Sequence, residues 1–355
     1  MVTFKFAMAL EDPLEVLVTD GDSVIGHALK QLKPDWTYLP IDASELVSYS
    51  NFTDYLSTRR FDAVIHNATY HSMGQTRAGH NIVEFEENLQ MNLNVVRACR
   101  CSGIKRLICC LDSCAFQPKT AEELVLETEF HNGKPRVEQA GAAYAKRILD
   151  THCNLVNACD SDFRYQCVIP CQVYGPNDLF EEDSTSIVAS LIKSAYLAAL
   201  SDEDKLVLNY PSEKRIQLIY AVDVAHLLIT TIEEDESYGE DGRLLFAPNQ
   251  KTQIKYLAKL IAQQFGLKYI AKDVSSPDSP VLHNQSQTIL SNTRLIEVFG
   301  EDTEDDITDI EDGVKLTCEW FKQHLGTGLE LDYDDEDHGY EAHAVRFGLE
   351  DNDPV

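Results

Sequence analysis

Residues 15–26 read EVLVTDGDSVIG. An apolar, β-branched run closes at Thr19, an Asp-Gly turn follows, and SVIGHALKQL then places its apolar residues at helical spacing. A strand that feeds a helix through such a turn is the layout of a dinucleotide phosphate loop, in which the helix N-terminus and its free N–H groups hold a pyrophosphate. This loop, however, carries Asp20 and Asp22, keeps only Gly21 and Gly26, and has Ser23 at the helix start. Two carboxylates are the wrong charge for a pyrophosphate.

The same rhythm continues outward. EVLVTD, TYLPID, DAVIHNAT, KRLICCLDS and YQCVIPCQVYG read as strands, and between them SVIGHALKQL, SELVSYSNFTDYLSTR, VEFEENLQMNLNVVRACRCSG and GAAYAKRILDTHCNLVNAC read as helices. Strands alternating with helices predict an α/β fold, a doubly wound parallel sheet whose ligands sit beyond the carboxyl ends of the strands. After about residue 176 the pattern is shorter and mixed. A helix at SIVASLIKSAYLAAL, a strand pair near KLVLNY and IQLIYAV, and helices at VDVAHLLITTIEE and IKYLAKLIAQQFG predict a smaller lobe closing over the sheet. The expected division is an N-terminal extension (1–13), a Rossmann-type domain (14–175), a smaller α/β lobe that returns some strands to the main sheet (176–325), and an acidic tail (326–355).

The formal charge is −29, with acidic runs at 301–312 and 329–343. The second run reads as an unfolded tail. So negative a surface repels nucleic acid and anionic lipid, which argues against direct binding of either and leaves a basic protein surface as a contact for the tail. Apolar stretches stop well short of the roughly 20 residues a bilayer span needs, and the N-terminus has too short an apolar run for a signal peptide. A soluble, cytoplasmic protein is expected. Ten cysteines fall at irregular spacings without a zinc pattern, so no metal is expected and the thiols read as reduced and buried. The acceptor triplets at 51, 67 and 284 carry no meaning without export.

CLDSCAFQPKTAEELVLETEFHNGKP, AYAKRILD, VIPCQVYGPNDLF, QLIYAVDVAHL, SNTRL and VKLTCEWFK occur in this order along the chain. Together they resemble the extended short-chain dehydrogenase/reductases, and within them the GDP-L-fucose synthases, NADPH-dependent epimerase/reductases of GDP-4-keto-6-deoxymannose. The resemblance implies a Rossmann-type NADP domain, a small sugar-nucleotide lobe, and a dimer built through a four-helix bundle that includes the helix around Ala142–Asp150. It also implies a cofactor pocket shared by the loop, Lys146, Pro170 and Val173.

At the positions where that family holds its chemical groups, the sequence departs from it. The family uses a Tyr four residues before a Lys as proton donor. Here the Lys is Lys146, and Ala142 stands in the Tyr position. Tyr144 is nearby, but two residues along a helix turn a side chain by roughly 200°. The family's carbonyl-binding Ser aligns with Asp112, a carboxylate where the developing alkoxide needs a donor. The adjacent Ser113 reaches the carbonyl only if the register slips, because neighbouring strand residues face opposite ways. The family's epimerisation Cys is kept as Cys114, whereas its His partner aligns with Asn177, an amide that supplies no proton. The sugar-nucleotide Trp and Arg align with Asn209 and Ile216, with Arg215 and Lys193 as neighbouring cations.

These losses favour a pseudoenzyme of the GDP-L-fucose synthase type that binds protein and needs no cofactor. Two alternatives remain open: an active, diverged NADP-dependent nucleotide-sugar epimerase/reductase, and a non-catalytic binder of nucleotide or nucleotide sugar.

Overall fold

The computed structural model describes residues 13–42, 44–71, 78–119, 123–180, 186–201, 203–208, 213–234, 238–239, 242–271 and 288–324. The acidic tail, Asn209 and residues 1–12 of the N-terminal extension lie outside them. The first half runs β1 (Val16–Thr19), α1 (Val24–Leu32), β2 (Thr37–Leu39), α2 (Ser44–Val47), α3 (Tyr49–Ser57), β3 (Ala63–His66), α4 (Ala78–Cys101), β4 (Arg106–Cys110), β5 (Leu124–Val125), α5 (Ala140–Cys159), β6 (Arg164–Pro170) and β7 (Gln172–Tyr174). The second half runs α6 (Ile187–Leu200), β8 (Lys205–Leu208), β9 (Arg215–Ile216), β10 (Leu218–Tyr220), α7 (Ala221–Glu233), β11 (Arg243–Phe246), β12 (Thr252–Gln253), α8 (Ile254–Gln264), β13 (Lys268–Ala271), β14 (Ile289–Leu290), α9 (Thr293–Phe299), α10 (Thr303–Asp306) and α11 (Ile310–His324).

Six strands form one sheet in the order β11-β6-β4-β3-β1-β2, with every neighbouring pair parallel. Val16, Leu17, Val18, Val64, Ile65 and Leu107 are fully buried, because helices cover both faces of the sheet. The order reverses between β1 and β3, and the crevice beyond their carboxyl ends is the ligand position of such sheets. A second apolar cluster gathers Ile187, Ile192, Ile216, Leu257, Ile261, Val314 and Phe321 from α6, β9, α8 and α11.

Four local expectations are corrected. The β8 and β10 segments are not a pair: β8 runs parallel to β13, while β10 pairs with β7 and β9 with β12. The run SELVSYSNFTDYLSTR is broken at Ser48, whose hydroxyl accepts the Asn51 N–H and caps α3 as a separate helix. YQCVIPCQVYG is two strands parted at Cys171. Finally, Asp112 and Ser113 do not lie on a strand: β4 ends at Cys110, and Ser113–Ala115 form a turn of 3₁₀-helix.

All ten cysteines are free thiols, eight of them buried. No helix among the described residues is long and apolar enough to cross a membrane.

Candidate functional site

The phosphate-loop segment spans the crevice between β1 and β3. Asp20, at the first turn position, has φ 57, a left-handed conformation that costs a residue with a Cβ about 1 kcal/mol. Gly26 is fixed by packing, since a Cβ there would lie 2.4 Å from the Asp20 carbonyl oxygen. Gly21 is fixed likewise, its Cβ falling 2.8 Å from that of Tyr38. The surviving glycines therefore serve the strand–turn–helix packing.

Ser23 caps α1. Its Oγ accepts the Gly26 N–H at 3.0 Å and the Asn67 side-chain amide at 2.6 Å, and donates to the Asp20 carbonyl at 2.9 Å. A hydroxyl has one donor and two acceptor sites, so Ser23 is fully used. The Gly26 N–H at the start of the helix is thus met by protein, and the Asn67 bond crosses the crevice from the end of β3 to the start of α1. Asp22 is exposed and pairs with Lys30 at 2.7 Å, which occupies the cation that α1 brings to this end of the sheet. The loop thus sets the carboxylates of Asp20 and Asp22 beside the helix N-terminus, where a pyrophosphate needs uncharged backbone N–H groups. Residues Asp20 to Gly26 do not fit a dinucleotide phosphate.

Beneath the loop lies a buried polar chain that sequence reading missed. The Thr19 hydroxyl accepts the N–H groups of Asn67 and Ala68, which leaves its proton for His66 Nδ1 at 2.9 Å. His66 Nε2 therefore carries the ring proton and donates it to Asn92 Oδ1 at 2.9 Å. Burial lowers the His66 pKa, so the ring is neutral and serves to tie β1, β3 and α4 together. The polar ends of VLVT and AVIHN were the available signal.

The second half of the site lies between β4 and α5. Lys146 is buried at 1% exposure, its Nζ donating to the Cys110 carbonyl at 2.9 Å, and burial lowers its pKa. One turn earlier, Ala142 is also buried and presents only a methyl group. Tyr144 turns outward, 39% exposed, into an apolar cleft with Ile82, Phe85 and Ile148. Asp112 accepts the Cys114 N–H at 2.6 Å and so caps the 3₁₀ turn. Cys114 is buried, and burial together with the Asp112 carboxylate holds its thiol well above the usual range. A thiol so held supplies no thiolate base at neutral pH. Arg147, also missed, fixes this turn by donating to the carbonyls of Ala115, Asn132 and Gly133.

The remaining positions follow the strand ends. Pro170 closes β6 beside Phe246 of β11, and Val173 in β7 packs on the main core. Asn177 is half-buried with φ 63. The next residue, Asp178, accepts Ser186 Oγ at 2.6 Å and the Leu179 N–H at 2.8 Å, and burial pushes its carboxyl up to about 6. Ile216 is sealed in the second core, while Arg215 beside it points to the opposite face of β9. Lys193 is half-buried on α6.

Residues 10–243 match the model of the NAD dependent epimerase/dehydratase family. The chain belongs to that family. Among curated relatives of this family member, the GDP-L-fucose synthase of Dictyostelium discoideum is 26% identical over 324 residues, covering 88% of this chain and 96% of the relative. The GDP-L-colitose synthase of Yersinia pseudotuberculosis is 27% identical over 314 residues, covering 87% and 98%. A solved GDP-L-fucose synthetase from Naegleria fowleri, bound to NADP, superposes with a TM-score of 0.78 at 22% identity over 90% of this chain and 96% of that one. The epimerase/dehydratase architecture is therefore present over nearly the whole described chain, around a site whose polar groups bond to one another.

Proposed function

We propose that this family member is a GDP-L-fucose-synthase-like pseudoenzyme, a non-catalytic interaction or regulatory subunit that has kept the fold and lost the chemistry. The observation that carries the reading is the pairing of buried Lys146, bonded to the Cys110 carbonyl, with a methyl group at Ala142 where a phenol must stand. General acid catalysis is worth about 10²–10⁴ in rate, and this position is its source in the resembled enzymes. Asp112 opposes an alkoxide, Cys114 stays protonated, and the loop from Asp20 to Gly26 disfavours NADP(H).

The retained surface is the outer face of α4 and α5, where Ile82, Phe85, Tyr144 and Ile148 line an open apolar cleft of about 450 Å³. A second copy or a catalytically competent relative would pack there, as homodimer or heterodimer. The test is turnover: the purified chain with NADPH and GDP-4-keto-6-deoxymannose, beside an active GDP-L-fucose synthase, followed by product chromatography. The proposal expects no product above the enzyme-free control; a sugar-dependent oxidation of NADPH would overturn it.

The reading as an active, diverged epimerase/reductase has one observation in its favour. Asp178, raised to about 6 by burial beside Asn177, holds a proton closer to neutrality than an ordinary carboxyl. Its two accepted hydrogen bonds are more simply those of a loop anchor.

A further inference from the structure

In a chain of net charge −29, one surface cleft is cationic. It has a volume of about 480 Å³ and is lined by Arg215, Lys251, Lys255 and Lys259, with Tyr256 and Tyr269 as its aromatic members. Lys255 is paired with Glu213 at 2.7 Å. Among the described residues, Arg215, Lys251 and Lys259 take part in no ion pair. The Tyr269 hydroxyl is buried without a hydrogen-bond partner. The cleft lies on the opposite face of β9 from the core residue Ile216, so it is separate from the family's sugar-nucleotide position.

The chain carries a complementary segment on a short tether. Residues 325–355 contain ten carboxylates and a single basic side chain, Arg346, and the acids are densest in DYDDED at 332–337. That segment begins where α11 ends, at His324. α11 lies alongside α8: Tyr256 donates to Glu311 at one end, and Lys322 donates to the Gln264 carbonyl at the other. The tail therefore leaves near the last turn of α8, while Lys255 and Lys259 stand in its first half. Eleven helical residues span about 16 Å. The eight residues from His324 to Asp332 reach up to about 26 Å when extended, which is enough.

We propose that the cleft formed by Arg215, Lys251, Lys255 and Lys259 is an acidic-peptide site, and that its occupant is this chain's own segment 329–343. The tether raises the effective concentration of the segment at the cleft, and the contact weakens as salt screens it.

The full chain can be treated with a zero-length carbodiimide crosslinker, which joins lysine amines to carboxylates in contact, as an equimolar mixture of unlabelled and ¹⁵N-labelled protein. The expected products link Lys251, Lys255 or Lys259 to acids within 330–341, all between residues of equal isotope. Lys251→Glu with Lys259→Glu lowers their yield at least tenfold, and adding Asp332→Lys, Asp334→Lys and Asp335→Lys restores them with the roles exchanged. Both lysines are solvent-accessible, so an unchanged melting curve checks the fold. Crosslinks of mixed isotope would overturn the docking in cis. Absence of these links, or links indifferent to the charge reversal, would overturn the site.

Discussion

The two faces of α5 answer to different constraints. Its inner face, Ala142, Lys146 and Asp150, is buried; Lys146 donates to the Cys110 carbonyl of β4, and Asp150 accepts from Arg243 of β11 through Oδ2 while its Oδ1 has no hydrogen-bond partner among the described residues. Asp150 is held by Arg243 at 2.8 Å and by His131 at 2.7 Å. The outer face, Tyr144, Ile148 and Leu155, is apolar and between 38% and 60% exposed. In a working reductase the inner face bears the chemistry. Here it bears a methyl group, a lysine bonded to a backbone carbonyl and an ion-paired carboxylate, while the outer face is apolar and open; under the proposed reading, what survives on this helix is what folding and association require.

The largest expected effect is at Asp150. Asp150→Ala removes the buried carboxylate to which Arg243 donates at 2.8 Å and should cost about 3–5 kcal/mol in urea unfolding. A loss below 1 kcal/mol would show that the inner face is not held by this pair. On the outer face, Ile148→Glu should leave stability within about 0.5 kcal/mol while abolishing any dimer through α4 and α5. Sedimentation equilibrium decides: an unchanged mass for the variant removes that surface from the account.

Lys146→Met sharpens the contrast further. A buried ammonium satisfied by one carbonyl gains little from its charge, so the substitution should be neutral or stabilising by up to about 1 kcal/mol, read as a melting shift. A clear destabilisation would mean that the lysine is needed by the fold.

The smallest effect concerns pH. Asp223 is buried at the start of α7, accepts the N–H and hydroxyl of Thr308, and has its carboxyl pushed up to about 6 by burial. Its folded pKa lies above the unfolded value near 3.8, so the folded state binds more protons between them. The stability it contributes is present below pH 4 and is lost as the pH rises through 6. Between pH 5 and 7, stability should fall by about 1 kcal/mol, and Asp223→Asn should flatten that slope. An identical slope in the variant would assign it to other groups.

The sheet was legible because buried parallel strands leave a strong local signal: VLVT, AVIH and RLICC read correctly from composition alone. The β8–β13 and β9–β12 pairings were not, because their partners are distant in sequence and the strands short. At the site, the chemically silent positions Ala142, Asp112 and Asn177 could be named only through a resemblance. What could not be read was how the freed polar groups are used. That Ser23 accepts from Asn67, and that Asp112 caps its own turn, depends on loop geometry that no periodicity encodes.

Under the proposed function, this epimerase/dehydratase fold no longer holds NADP(H). A titration of the full chain with NADPH, followed by nucleotide fluorescence and by melting temperature beside an active GDP-L-fucose synthase, tests it directly. No saturable signal is expected up to millimolar NADPH. Saturation in the micromolar range would contradict it, showing that Asp20, Asp22 and the Ser23–Asn67 bridge give way to a pyrophosphate.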